Sequence, residues 1–306
     1  MAEQTPTEQA QEFLAASDVQ AWLVYDYQGL NPTFADLTGL GGFLTRPVFL
    51  LGCARSGTSI FGEALAAHPR VTYLFELSPT WNSIVEAGAD HRLEGSAATA
   101  EVARQVYTEF SRRLRGEPGE VLLEKNPKHV LRLPFLAELF PWARFLHIVR
   151  DGRDTAASLM FRNRGAAWGH LQVPGWRELL ERYGVENHVR CAHQWRIAVE
   201  TARADGARLG GNYLEVRYED LVAGPLAVVE RALAFMGLDV RDEVAGFCGR
   251  IQDETAGSYH ALKQVRHYVD NHSRRIGRYR ENLEPEQIAE VESACGELLR
   301  ELGYLG

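Results

Sequence analysis

Short apolar runs set off by turn residues recur along the chain. Pro47–Leu51, Val71–Phe75, Val121–Glu124, Arg144–Val149 and Tyr213–Val216 are apolar almost throughout rather than alternating. That is the pattern of strands buried on both faces of a parallel sheet. Between them, helical spacing predicts helices over Thr58–Ala67, Asp151–Phe161, Pro225–Met236 and Pro285–Leu302, with Asp151 as the N-cap of the second. A short helical start runs to Trp22, followed by an aromatic, glycine-bearing stretch through Tyr25, Tyr27 and Phe34. Strands alternating with helices predict an α/β fold, a three-layer α/β/α sandwich on a mostly parallel central sheet. Residues 1–45 are expected as a lead-in over the acceptor site, 46–306 as one domain, and 162–176 as an insertion on its acceptor side. No internal repeat or low-complexity segment interrupts this order.

Polar residues gather where strands end, the place where parallel sheets bind ligands. Gly52–Ser59 follows the first run, Glu76 the second, Glu124-Lys125-Asn126 the third and Arg150-Asp151 the fourth. The first of these reads GCARSGTS and has the spacing of a phosphate-binding P-loop, in which glycines let backbone N–H groups close around an anion at a helix N-terminus. Thr58 stands where a nucleotide triphosphatase carries its lysine, and the nearby cation is Arg55.

Composition narrows the partners. The 306 residues are 45% hydrophobic, enough for one sizeable core. A formal net charge of −8 argues against nucleic acid, so an anion site has to be a local cluster of arginines. Cys53, Cys191, Cys248 and Cys295 are widely spaced with no CxxC pair, which favours a reducing compartment. The polar N-terminus and the lack of a long apolar run lead us to expect a cytoplasmic protein with no membrane span.

Three stretches together resemble the sulfotransferases that use 3′-phosphoadenosine-5′-phosphosulfate (PAPS): GCARSGTS with the continuation AHPRV, FLHIVRDGRDTAASLM over Phe145–Met160, and the basic segment RRIGRYRENL over Arg274–Leu283. The likeness spans about residues 46–283 and is nearer the bacterial and tyrosylprotein-type branches. Lys125-Asn126-Pro127 stands where the cytosolic branch has Lys-x-His. The resemblance implies PAPS as donor, adenosine 3′,5′-bisphosphate (PAP) as product, and no metal. Arg55, Ser56, Gly57, Thr58 and Ser59 would hold the 5′-phosphosulfate. Arg150 and Ser158 would hold the 3′-phosphate, since a guanidinium offers forked, permanent donors suited to it. Arg274 and Arg278 would close over the nucleotide.

Glu76 is the candidate general base for the attacking hydroxyl, with His129 as its rival. Lys125 is the candidate cation for charge growing on the leaving oxygen. Trp81, His129, Trp168 and His170 are candidate acceptor contacts, and the acceptor is expected to be a small molecule, a lipid or a carrier-bound intermediate. Two other readings share the fold: a small-molecule kinase using ATP and Mg²⁺, and a nucleotide-binding protein without catalysis.

Overall fold

The computed structural model describes residues 47–85, 89–115, 119–162, 171–251 and 272–306. The lead-in over 1–45, together with Trp168 and His170, lies outside the described residues.

In chain order the elements are β1 (Val48–Leu51), α1 (Thr58–Ala66), β2 (Val71–Phe75), α2 (Ser78–Asn82), α3 (Ala100–Ser111), β3 (Val121–Lys125), α4 (Leu133–Leu139), β4 (Arg144–Val149), α5 (Gly152–Arg162), α6 (Trp176–Tyr183), α7 (His188–Gly206), β5 (Tyr213–Arg217), α8 (Tyr218–Ala223), α9 (Pro225–Met236), α10 (Asp242–Cys248), α11 (Tyr279–Asn282) and α12 (Pro285–Glu301). The strands form one sheet in the order β2-β3-β1-β4-β5, and every pairing is parallel. All strand carboxyl ends therefore share one edge.

The alternation of side chains across the sheet feeds two separate cores. Phe49, Leu51, Leu122, Phe145 and Val149 point to the face covered by α3, α4, α5, α7 and α12. Val48, Leu50, Leu123, Leu146 and Ile148 point to the face covered by α1, α9 and α10. This is the three-layer arrangement expected from the apolar runs, with β1 central and enclosed on both sides.

Helix α7 is nineteen residues long, yet helical spacing in the sequence does not predict it. Its buried face carries His188, Arg190, Gln194 and Asp205, so the apolar stripe is broken by polar residues. Arg190 donates to Gln194 at 3.0 Å and to the Val185 carbonyl at 3.0 Å, which pairs part of that polar face. Within the expected 162–176 insertion, Leu171 and Val173 are buried in the core and Trp176 opens α6.

Candidate active site

The loop between β1 and α1 turns through two left-handed residues, Arg55 (φ 77°) and Gly57 (φ 94°). A Cβ on Gly57 would come within 2.3 Å of the Tyr218 ring, so the close approach demands glycine. Gly57 is also the N-cap of α1, and neither a capping side chain nor an acidic residue serves the first turn. The first-turn N–H groups of α1, with its positive dipole end, are left for an anion. The cleft they face is lined by Arg55, Thr58 and Ser59 of the loop, Arg150 after β4, Tyr218 after β5, and His272 with Arg275 from the C-terminal segment. Three arginines and no carboxylate line it.

Arg150 is almost fully buried and organises this cleft. It donates from Nη1 to the Arg55 carbonyl at 3.1 Å and from Nη2 to the Arg275 carbonyl, and it packs over the Tyr218 ring at 4.8 Å. Its own carbonyl accepts from Trp195 Nε1 at 3.1 Å. Asp154, one helical turn on, lies 3.5 Å from its guanidinium. The Asp154 carboxylate also accepts from the N–H of Gly277 and of Tyr279, both at 2.8 Å, tying the C-terminal segment to α5. Burial raises the Asp154 pKa, against the lowering effect of Arg150 and these two bonds. Arg150 Nε, Arg275 Nε and Nη2, and Ser56 Oγ are buried with no hydrogen-bond partner. Unpaired buried donors of this kind are costly, and an anion with several acceptor oxygens satisfies them. His272 bonds Tyr218 Oη through Nδ1 at 2.9 Å; burial, then Arg275 and Arg150, lower its pKa to about 3, so it stays neutral.

Ser158 lies at this cleft through Arg55, whose Nε donates to Ser158 Oγ at 3.0 Å. Arg55, expected at the 5′-phosphosulfate, therefore reaches across to α5. Of the basic C-terminal segment, Arg275 enters the cleft; Arg274 is exposed, and Arg278 sits 3.8 Å from Glu281. The cleft is thus lined by Arg275, with His272 and Tyr218 beside it, rather than by Arg274 or Arg278. The 3₁₀ turn over His272–Arg275 explains the switch, because it sends consecutive side chains in different directions.

On the other side of β1, the Phe75–Lys125 register sets the ends of β2 and β3 side by side, and Glu76 N–H donates to the Lys125 carbonyl at 2.9 Å. Glu76 is left-handed (φ 46°), an uncommon conformation for a residue with a Cβ. Lys125 Nζ lies 2.5 Å from Glu76 Oε1 and 3.6 Å from the Phe75 ring centroid. The lysine side chain is 1% exposed and the glutamate 36%, so the carboxylate is the half of the pair that meets solvent. Burial lowers the Lys125 pKa, and Glu76, then Glu124 and Glu63, oppose that shift.

Trp81 and His129, expected to touch the acceptor, are both fully buried instead. Trp81 Nε1 donates to Glu124 Oε1 at 3.0 Å, and His129 Nε2 pairs with Glu124 Oε2. The two rings meet edge-on at 5.0 Å. Burial lowers the His129 pKa, with Glu124 working against it. Both residues are scaffold around Glu124, and His129 has no open path to an acceptor hydroxyl.

The sequence model described as the sulfotransferase family matches residues 47–242 of this chain. Protein-tyrosine sulfotransferase 1 of Danio rerio is 27% identical over 210 residues, covering 64% of this chain and 54% of the relative. Nodulation protein NoeE of Sinorhizobium fredii is 29% identical over 293 residues, covering 84% of this chain and 65% of the relative. The chain spans about half the length of several of the curated relatives it matches. Among solved structures, the sulfotransferase domain of a Synechococcus olefin synthase superposes with a TM-score of 0.51 at 19% identity, covering 81% of this chain and 95% of that one. The sulfotransferase domain of the curacin biosynthetic pathway gives 0.50 at 17%, over 86% and 99%. Both share the fold.

Proposed function

The chain belongs to the sulfotransferase family, and from that premise we propose that it moves a sulfuryl group from PAPS to a hydroxyl of its acceptor, with Glu76 as base and Lys125 as the cation at the leaving oxygen. The observation that carries this reading is the pairing of two features along one sheet edge. An arginine-lined cleft with unpaired buried N–H groups lies on one side of β1, and the Glu76–Lys125 pair lies on the other.

The α1 N-terminus and the loop hydroxyls suit the 5′-phosphosulfate, and Arg150, Arg275 and the Arg55–Ser158 pair suit the 3′-phosphate. Glu76 accepts the proton of the acceptor hydroxyl as its oxygen attacks sulfur in line. The bond from sulfur to the bridging oxygen of the 5′-phosphate breaks as the new one forms. Lys125 donates to that oxygen as negative charge collects there. The 2.5 Å contact between Lys125 Nζ and Glu76 Oε1 sets the proposed base and the proposed proton donor side by side. Four free, buried cysteines fit action in a reducing compartment, and we keep the cytoplasm as the proposed location.

The test is calorimetric titration of the wild-type chain and of E76Q with PAP and with ATP plus Mg²⁺, alongside turnover with PAPS. Binding of PAP by both proteins, no binding of ATP, and loss of turnover in E76Q is the expected outcome. Binding of ATP in preference to PAP would sink the donor assignment, and full turnover by E76Q would remove Glu76 from the chemistry.

A further inference from the structure

Beyond Val149 and Arg217, the last pair of the β4–β5 register, the two chains part into helices α5 and α8. Arg150 and Tyr218 are the next residue on each side, and the guanidinium lies over the ring at 4.8 Å. The peptide plane that leaves Arg150 is held at both edges. Its carbonyl accepts from Trp195 Nε1 at 3.1 Å, and its N–H, that of Asp151, donates to Glu219 Oε1 at 3.1 Å. A side-chain carboxylate thus takes over where the strand ladder stops, and it fixes the backbone from which Arg150 reaches the cleft.

The other oxygen of Glu219 is engaged by a residue remote from the sheet. Tyr304, three positions past α12, donates from Oη to Glu219 Oε2 at 2.8 Å. Its ring lies under the Arg217 guanidinium at 4.3 Å, and its carbonyl accepts from Arg153 Nη2 at 2.6 Å. Arg153 in turn bonds Asp151 Oδ2 at 2.8 Å and Glu292 of α12 at 2.7 Å. Tyr304 therefore grips both chain neighbours of Tyr218, and through Glu219 and Arg153 it reaches the backbone and the side chain of Asp151. Burial raises the Glu219 pKa, and the Asp151 N–H and the Tyr304 hydroxyl oppose that shift. These bonds are made largely out of water, where they count for more. Neither Glu219 nor Tyr304 lines the donor cleft.

We propose that Glu219 and Tyr304 are positioning residues for the donor: together they set the direction in which Arg150 enters the cleft, and so the affinity for the 3′-phosphate of PAP, without touching the nucleotide. The inference rests on the reading of Arg150 as the 3′-phosphate contact. A brace that served only the fold would act on every nucleotide alike, whereas a brace on Arg150 is felt only through the group that Arg150 holds.

The experiment is calorimetric titration of PAP and of adenosine 5′-phosphate into the full chain, for wild type, Y304F, E219Q, R150A and the double variant Y304F/R150A. Y304F keeps the ring against Arg217 and the carbonyl for Arg153, and removes one hydroxyl. It should weaken PAP about fivefold, as expected for residues sharing one hydrogen-bond network, and adenosine 5′-phosphate by less than about twofold. E219Q, left with a single acceptor oxygen for two donors, should weaken PAP at least as much. In the R150A background, Y304F should change PAP affinity by less than about twofold, because the arginine it positions is gone. Should E219Q fail to fold, Y304F carries the comparison. Wild-type PAP affinity in Y304F, equal losses on both nucleotides, or a loss that persists undiminished in R150A each overturns the proposal. Equal losses of both nucleotides in R150A itself would instead sink the 3′-phosphate reading of Arg150, and the proposal would fall with it.

Discussion

Replacing Arg150 with alanine separates the 3′-phosphate from the rest of the nucleotide. Arg150 spends one hydrogen of Nη1 and one of Nη2 on the carbonyls of Arg55 and Arg275, and its buried Nε has no partner. What remains for a ligand is Nε–H and the second hydrogens of the two terminal nitrogens. Removing one partner of a desolvated charged contact costs about 2–5 kcal/mol. A mid-range loss of about 3 kcal/mol is on the order of 150-fold in Kd. R150A should therefore weaken PAP by about two orders of magnitude, while adenosine 5′-phosphate, which lacks the 3′ group, loses on the order of threefold.

The fold should survive the change, because Asp154 keeps the Gly277 and Tyr279 N–H groups. Its pKa, already raised by burial, rises further without Arg150. A carboxyl with a folded pKa above its ordinary 3.8 binds more protons folded than unfolded, so its contribution falls as pH climbs through that window. The melting-temperature gap between R150A and wild type should thus narrow from pH 7 toward pH 4. Calorimetry with the two nucleotides is the deciding assay. Equal losses for both would make Arg150 a loop-ordering residue with no 3′-phosphate role.

Two shorter tests follow. Lys125 needs its proton to stabilise the leaving oxygen, and burial lowers its pKa below the ordinary 10.5, so the alkaline limb of kcat/KM should fall below that value and vanish in K125R; a wild-type limb at 10.5 or above would exclude Lys125. The same shift means that stability gained on deprotonation appears as pH rises through the window between the lowered value and 10.5. G57A forces a left-handed residue to carry a Cβ at 2.3 Å from Tyr218, so about 1–2 kcal/mol is lost from φ alone. A melting temperature lowered by roughly 2–4 °C per kcal/mol, together with weakened PAP binding, is expected; unchanged binding would show that the loop tolerates repositioning.

The sheet was legible because its strands are buried on both faces and so stay apolar along their length. The phosphate loop was legible for a local reason, since glycine, hydroxyl and arginine positions all lie within one turn. The proposed transfer pair, Glu76 and Lys125, could be suspected as strand-end charges, but their contact depends on the β2–β3 register. Tyr218, His272 and Arg275 come to the cleft from places far from the loop in sequence, and nothing local distinguishes Arg275 from Arg274. Trp81 and His129 misled for the opposite reason: aromatic and imidazole groups beside a strand end look like acceptor contacts, whereas the buried Glu124 between them claims both.

The parallel order β2-β3-β1-β4-β5 also sorts the chemistry by hand. Among the described residues, the groups proposed to grip the nucleotide hang from β1, β4, β5 and the C-terminal segment, and those proposed to meet the acceptor hang from β2 and β3. The central strand is the seam. A graft that exchanges the ends of β2 and β3 for those of another acceptor class cuts across the molecule along that seam. It should re-address the enzyme to a new hydroxyl while its hold on the donor is inherited intact.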